Sequence, residues 1–325
     1  MYASRLGSFL LTPVGQQVSA GVACVGGLAG FAAYYVPHTF CLHKYQEVVQ
    51  HYRHGMPLEL NTEVQNRANE VLAASSGNKR QKSLIRFFTV AKMDTFIAGN
   101  TLSKFGAIIG LPANFRYASP DKVETRLIGI ANTVEPRWSS KEGQQLKEAL
   151  VLSGRAQRFA IARQLYWANT YYVHIHSFVL SINVLNAYIL GRLLNEKLHL
   201  HQRVPRRVRV ALYGVLAAFG ATMFLFMKDA TTHYWDRNAD DSAASMGPDY
   251  LLGGIEYYEK MLQRNRALRD LMGEAGEKAY TSKGNEKTFL RTPHLPPTHR
   301  LDRLRKTLRE QKEQRQQVVV PREDV

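Results

Sequence analysis

The chain of 325 residues has only two cysteines, Cys24 and Cys41. Their spacing matches neither a disulfide framework nor a zinc ribbon. It has no Walker loop, no dinucleotide fingerprint, no GxSxG and no HExxH. P-loop, Rossmann, serine-hydrolase and zincin chemistry are therefore not expected, and neither is a cofactor. Charge is also absent from long stretches: between Val18 and Val36 there is none. The rest is basic, with a formal net charge of +16 alongside 45% hydrophobic residues. A nucleic-acid binder joins such basicity to a recognisable fold. None is legible, so nucleic acid is not expected as a partner.

What is present is hydrophobic length. Val18–Val36 has no charged residue, and at about 1.5 Å per residue it covers roughly 28 Å, close to a hydrocarbon core. Tyr34 and Tyr35 stand at its end, where aromatic rings favour the headgroup layer. Gly26 and Gly30 form a GxxxG pair suited to close helix packing. Pro37-His38 follows instead of a small-residue cleavage site, so the run reads as an uncleaved anchor, not a signal peptide. Val173–Gly191 is apolar but carries His174, His176, Asn183 and Asn186, a polar side that should face another helix. Val208–Met227 is cleaner. Between these two runs Arg192, Lys197, Arg203, Arg206 and Arg207 face only Glu196. The positive-inside rule places that loop in the cytosol, or in the matrix of a mitochondrion, with 37–172 and 228–325 on the opposite side.

Outside the spans, 42–75 has apolar residues at helical spacing and ends in a Ser-Ser-Gly-Asn break. From 84 to 130, short aromatic and branched segments punctuated by Gly and Pro predict a small sheet. Helical spacing returns over Ser139–Asn169, with Ser139 and Ser140 as candidate caps. It returns again over Asp249–Met272, with a break near Gln263. The prolines of 281–299 read as an extended arm. The tail beyond 300 reads equally as an amphipathic helix or a solvated end. The expected fold is an α+β membrane protein, mainly α-helical, with about three transmembrane helices and a small β-sheet in the aqueous part. Its segments are 1–17; span 18–36; aqueous domain 37–172; span 173–191; basic loop 192–207; span 208–227; a helical part 228–285 packing on the aqueous domain; and a basic tail 286–325.

The histidines form HxH pairs at 174/176 and 199/201. Helical residues two apart point to different faces, and no Cys, Asp or Glu accompanies them, so no metal is expected. Asp240-Asp241 and Glu256/Glu259 fit charge patterns of solvated helix faces.

Four blocks carry a resemblance: LSGRAQRFAIARQLYWANT (152–170), GGIEYYEKMLQRNRALRDLMGEAGEKAYTSKGN (253–285), HLPPTHRLDR (294–303) and GLPANF (110–115). Together they resemble the transmembrane protein 177 family. That resemblance implies a multi-pass protein of the mitochondrial inner membrane. It also implies a role in the maturation of cytochrome c oxidase subunit II, with that subunit and its assembly chaperone as partners beside membrane lipid. A second similarity is to membrane zinc peptidases of the HtpX type: LSGRAQRFAIARQLYW has the cadence of their ligand helix, and RNADDSAASMG (237–247) that of the helix supplying the third ligand. Arg163, Gln164 and Trp167 replace the His, Glu and His, and Asn238 replaces the ligating Glu. Arginine cannot ligate zinc and glutamine cannot act as a base. The similarity implies a peptidase scaffold without activity; the other reading is that amphipathic helices look alike.

The leading expectation is a non-catalytic assembly factor whose contacts to partner helices come from His174, Asn183, Asn186, Gly26 and Gly30. The rivals are a membrane metallopeptidase-like enzyme and a component of a small transporter or channel.

Overall fold

Thr12 and Pro13 start the first helix together. Thr12 Oγ1 accepts from the Gly15 amide at 3.1 Å, and Pro13 occupies a position where no amide donor is needed. The computed structural model describes residues 12–125 and 138–319, with Phe9 and Ile128. Most of the expected segment 1–17, the last part of the sheet region and residues 320–325 lie outside the described residues.

In chain order the elements are α1 (Pro13–Tyr35), α2 (Leu42–Val49), β1 (Tyr52–Arg53), β2 (Met56–Pro57), α3 (Thr62–Ala74), α4 (Lys79–Ser83), β3 (Ile85–Val90), β4 (Phe96–Asn100) and β5 (Gly106–Pro112). Then follow α5 (Lys141–Leu150), α6 (Gly154–Ala168), α7 (Tyr172–Lys197), α8 (Leu200–Arg203), α9 (Arg206–Ser245), α10 (Pro248–Leu271), α11 (Glu274–Ala279) and α12 (Pro297–Val319). The protein is thus mostly helical, with small sheets.

The chain forms two units. The first comprises residues up to Leu42 together with Tyr171–Thr231. It holds α1, α7 and the start of α9, each long and apolar enough to cross a membrane. The helices outrun the hydrophobic segments because charge ends an apolar run without ending a helix. α7 continues through Arg192 to Lys197, and α9 runs 40 residues from Arg206 to Ser245. α1 lies along α7 with its glycines at the contact. A Cβ on Gly26 would sit 3.5 Å from Val184, and one on Gly30 would sit 3.4 Å from Val184 and 3.6 Å from Leu180.

The second unit comprises His43–Thr170 and the chain from Thr232. Two segments that fold into one body cannot be separated by a bilayer, so both occupy one side of it. β5 is the central strand, parallel to β3 and antiparallel to β4. All seven of its residues are buried, as expected of a central strand covered on both faces. α6 supplies Ala156, Phe159, Ala160 and Ile161 to the core beside Ile109 and Leu111. α10 crosses α6 where Gly253 and Gly254 remove the side chains. A Cβ at Gly253 would stand 2.3 Å from the Arg155 carbonyl oxygen, and one at Gly254 would stand 2.6 Å from the Phe159 ring.

Five expectations differ from this structure. The helical spacing of 42–75 is interrupted by the β1–β2 hairpin, where His54 and Gly55 take positive φ of 52° and 79°. The helix expected over Ser139–Asn169 divides into α5 and α6, whose N-cap Ser153 is extended. α10 passes Gln263 unbroken. The arm 281–299 gives way to helix at Pro297, because proline fits the first helical position. The tail from there is neither solvated nor laid on a membrane at its start: Leu301 and Leu304 are buried in the core at 6% and 1% exposure.

Candidate functional site

The side chains of strongest chemistry in the second unit meet at a buried ionic cluster. α6 contributes Arg163, α9 contributes Asp236 and Asp240, α10 contributes Tyr258 and α12 contributes Arg300. The two aspartates lie four residues apart on one helix face, so both carboxylates point the same way. Arg300 grips Asp240 through Nε to Oδ2 and Nη2 to Oδ1, both at 2.6 Å, and its Nη1 lies 3.5 Å from Asp236. Arg163 Nη2 donates to Asp236 Oδ1 at 2.8 Å. Arg163 Nε stands 3.1 Å from Asp240 Oδ1 at an angle unsuited to a hydrogen bond, so that contact is Coulombic. Tyr258 Oη donates to Asp240 Oδ1 at 2.7 Å, and Arg300 lies over the Tyr258 ring at 4.9 Å. His294 Nδ1 closes the cluster 3.0 Å from Asp236 Oδ2.

Asp236 is fully buried and Asp240 is 1% exposed. Burial works against the charge of Asp236. The facing Arg300, the hydrogen bond from His294 and the charge of Arg163 outweigh it and hold the carboxyl well below the usual carboxylate range. Burial likewise opposes the charge of Arg300, yet Asp240 and its other neighbours raise that guanidinium above its ordinary value. Two acids and two guanidiniums balance one another, so the cluster is a clamp joining four helices. An arginine donates hydrogen bonds only and neither binds a metal nor accepts a proton.

The positions compared with the zinc peptidases gather here. Arg163 is in the cluster. Gln164 donates to Thr95, while its Oε1 is buried with no partner among the described residues. Trp167 packs edge-on against Trp235 at 5.6 Å, and Asn238 is half-buried one turn away. Among the described residues no three His, Cys, Asp or Glu side chains converge on a metal-sized site.

Asp240 and Glu256 do not lie on solvated faces. Glu256 accepts from the Ser153 amide at 3.0 Å and the Ser153 hydroxyl at 2.7 Å, fixing the start of α6. The sequence reading missed Asp236, Asp240 and Arg300. The usable signal was the i,i+4 aspartate pair on a helix whose apolar start already makes one face special.

The same unit has a groove of about 360 Å³ beyond the carboxyl ends of β3 and β5. Arg264 spans it, donating to Asp94 at 2.8 and 3.2 Å and to the Met93 carbonyl at 3.0 Å. His51 Nδ1 and Asn114 Oδ1, also on its lining residues, are buried without partners among the described residues.

In the membrane unit, polar side chains are satisfied along one side of α7. His176 lies 3.0 Å from both Tyr34 Oη and Thr231 Oγ1. His174 is half-buried, with its ring edge-on to Tyr35 and Tyr171. Asn183 is buried and donates to the Val179 carbonyl at 2.8 Å. Gly26 and Gly30 are occupied by the contact between α1 and α7. Of these six residues Asn186 alone is exposed.

The family model described as transmembrane protein 177 matches residues 34–321. The transmembrane protein 177 of Homo sapiens is 32% identical over 286 residues, covering 86% of this chain and 89% of its own length. That of Danio rerio is 32% identical over 297 residues, covering 89% and 93%. That of Xenopus laevis is 28% identical over 301 residues, covering 90% and 94%. These names describe a membrane protein and no reaction. No solved structure matches the chain. A family match across nearly the whole folded length, together with three helices able to cross a membrane, makes this a membrane protein, and the chain belongs to the transmembrane protein 177 family.

Proposed function

We propose that the protein is a non-catalytic assembly factor of the mitochondrial inner membrane that supports maturation and stability of cytochrome c oxidase subunit II and its chaperone. The resemblance described above implies that role, and one observation in the structure supports it. Asn186 sits close to the middle of the 26-residue α7 and is exposed, while His174, His176, Ser177, Ser181 and Asn183 before it are buried or half-buried. An amide at that depth finds no water and gains roughly 0.5–2 kcal/mol from a polar group on another helix. A contact of that size suits reversible holding of an unassembled span. The buried Arg163–Asp236–Asp240–Arg300 clamp fits the same reading, since it gives rigidity where a peptidase would keep an open, reactive centre.

A photo-crosslinker at position 186, activated in intact mitochondria, tests this. The expected products join the chain to cytochrome c oxidase subunit II or its chaperone, and Asn186→Leu lowers the yield of both on affinity capture. Products containing lipid alone would overturn the reading, as would stoichiometric zinc together with peptide cleavage by the purified protein.

A further inference from the structure

β3 is an edge strand: β5 pairs with one side of it, and the other side is only partly covered. Backbone groups alternate sides along a strand. The Leu84 carbonyl accepts from the Ala107 amide of β5 at 3.0 Å, so Arg86 and Phe88 also turn their amides and carbonyls to β5. The odd-numbered residues turn theirs outward. At Thr89 that side is taken, because its carbonyl accepts from the His51 amide at 2.9 Å and Gln50 bridges to Val90 at the end of the strand. The outward amides and carbonyls of Ile85 and Phe87 have no partner among the described residues.

These residues line a groove of about 400 Å³ whose walls are helices on opposite faces of the sheet. Ile85 and Phe87 turn their side chains to the face where α3 packs, and Leu72 of α3 lines the groove there. Phe88 turns to the other face, against Phe96 at 6.2 Å, and Phe96 meets Tyr45 of α2 at 5.5 Å. By alternation Arg86 shares that face, where Gln46 of α2 lines the groove. One wall is therefore apolar and the other polar and basic. Arg86 is exposed and has no ion pair among the described residues. Glu47 of α2 is held instead by Lys44 at 2.9 Å and His43 at 3.1 Å. α4, which leads into β3, adds Lys79 and Arg80, both exposed.

We infer that this groove takes an extended segment of another polypeptide, which adds a strand to β3 and alternates acidic with apolar side chains. The unpaired groups of a strand edge are met best by a second backbone, which brings donors and acceptors at the same spacing. Successive side chains of the added strand fall on opposite faces. Its apolar side chains then lie beside Leu72, Ile85 and Phe87 and its acids beside Arg86, so each wall meets the cross-strand neighbour that suits it.

The test uses the full chain in detergent and two short fluorescent peptides, one of alternating Glu and Val, the other of alternating Lys and Val. The Glu/Val peptide should bind, and the Lys/Val peptide at least about tenfold more weakly. Methylating every backbone nitrogen of the Glu/Val peptide should abolish its binding, since each donor is then lost. Saturation with the unmethylated peptide should slow amide hydrogen exchange at Ile85 and Phe87 by at least about tenfold. Arg86 and Phe88, already in the β5 ladder, should not change. Arg86→Glu alters an exposed side chain, so it should leave the melting temperature unchanged while reducing the preference for Glu/Val by at least about threefold. Binding that left exchange at Ile85 and Phe87 unaltered would overturn the inference, as would equal affinity for the two peptides or no binding of either. Slow exchange at both amides in the chain alone would also sink it, because part of the same chain would already lie along the edge.

Discussion

Arg300 closes two nitrogens on Asp240 at 2.6 Å each, although both residues are almost wholly removed from water. They lie sixty residues apart, on α12 and α9. The last helix is joined to the fold by this pair and by Leu301, the next residue, and Leu304, one turn on, which enter the core. Buried ion pairs often add little over well-packed apolar groups, whereas losing one partner strands the other charge.

Asp240→Asn should therefore destabilise the protein by about 3–5 kcal/mol, since the shape is kept while Arg300 loses its counter-charge. Arg300→Met should cost a similar amount. The double variant should lose less than the sum by about 0.5–3 kcal/mol. Thermal melts of the four proteins in detergent read this directly; additive losses would show that the pair is not coupled.

Helix propensity and packing make opposite predictions at Gly253 and Gly254. Alanine in a helix interior is favoured over glycine by about 1 kcal/mol. At Gly253, however, the new Cβ meets the Arg155 backbone, which cannot move without displacing α6. At Gly254 it meets the Phe159 ring and the Leu304 side chain, which can shift. Both variants should be destabilised, Gly254→Ala by about 1–3 kcal/mol and Gly253→Ala by more. A raised melting temperature for Gly253→Ala would show that α10 does not press on α6 in this way.

His38, three residues beyond α1, gives a pH dependence. Burial pushes its imidazole down to about 4, and Lys228 acts in the same direction. Tyr172 Oη lies 3.4 Å from its Nδ1. The unfolded state then binds the proton more tightly than the folded state, so stability is lost as pH falls from about 6.5 towards 4, by up to about 3 kcal/mol. His38→Gln should flatten that window in melts taken between pH 7 and 4. An unchanged slope would assign the loss to other groups.

Much of this molecule is legible from its sequence, for an uneven reason. Long apolar runs report spans directly, because hydrocarbon excludes ions; the runs ending at Gly191 and Met227 fall inside observed helices, and the one ending at Val36 passes its helix by one residue. Where those helices stop is not legible in the same way. α9 continues for eighteen residues after Met227, through Lys228 and Asp229, because water tolerates the helix that lipid required. The ionic cluster was harder still. Asp240 beside Asp241 looks solvated, and only the fold brings Arg163 and Arg300 to it from distant segments. Asp241 does face outward, where it pairs with Arg303. Two neighbours with the same side chain thus have opposite surroundings, and the four-residue spacing of Asp240 from Asp236 is the one local sign that separates them. Asn186 is the reverse case: its type and depth mark it as unusual, but only the packed helices show that it faces away from the others.

Glu256 offers the sharpest separation of capping from charge. Its carboxylate receives the Ser153 amide, the Ser153 hydroxyl and Arg155 Nε at 2.7–3.0 Å, while Ser153 Oγ itself accepts from the Ala156 amide. Burial works against its charge, but the Ser153 hydrogen bonds and Arg155 outweigh it and lower the carboxyl below the ordinary glutamate value. A depressed folded value adds stability at pH above the unfolded value, and that stability is lost as pH falls through the folded one. Glu256→Gln can still accept one hydrogen bond but loses the charge, so it should cost about 1–2 kcal/mol near neutral pH and little at acid pH. Ser153→Ala removes the cap, a loss of about 1 kcal/mol that persists at acid pH, and adds at neutral pH the loss of the hydroxyl's hydrogen bond to the Glu256 carboxylate. If Glu256→Gln cost as much at acid pH as at neutral pH, Glu256 would be holding α6 by shape alone, and its charge would play no part in starting the helix.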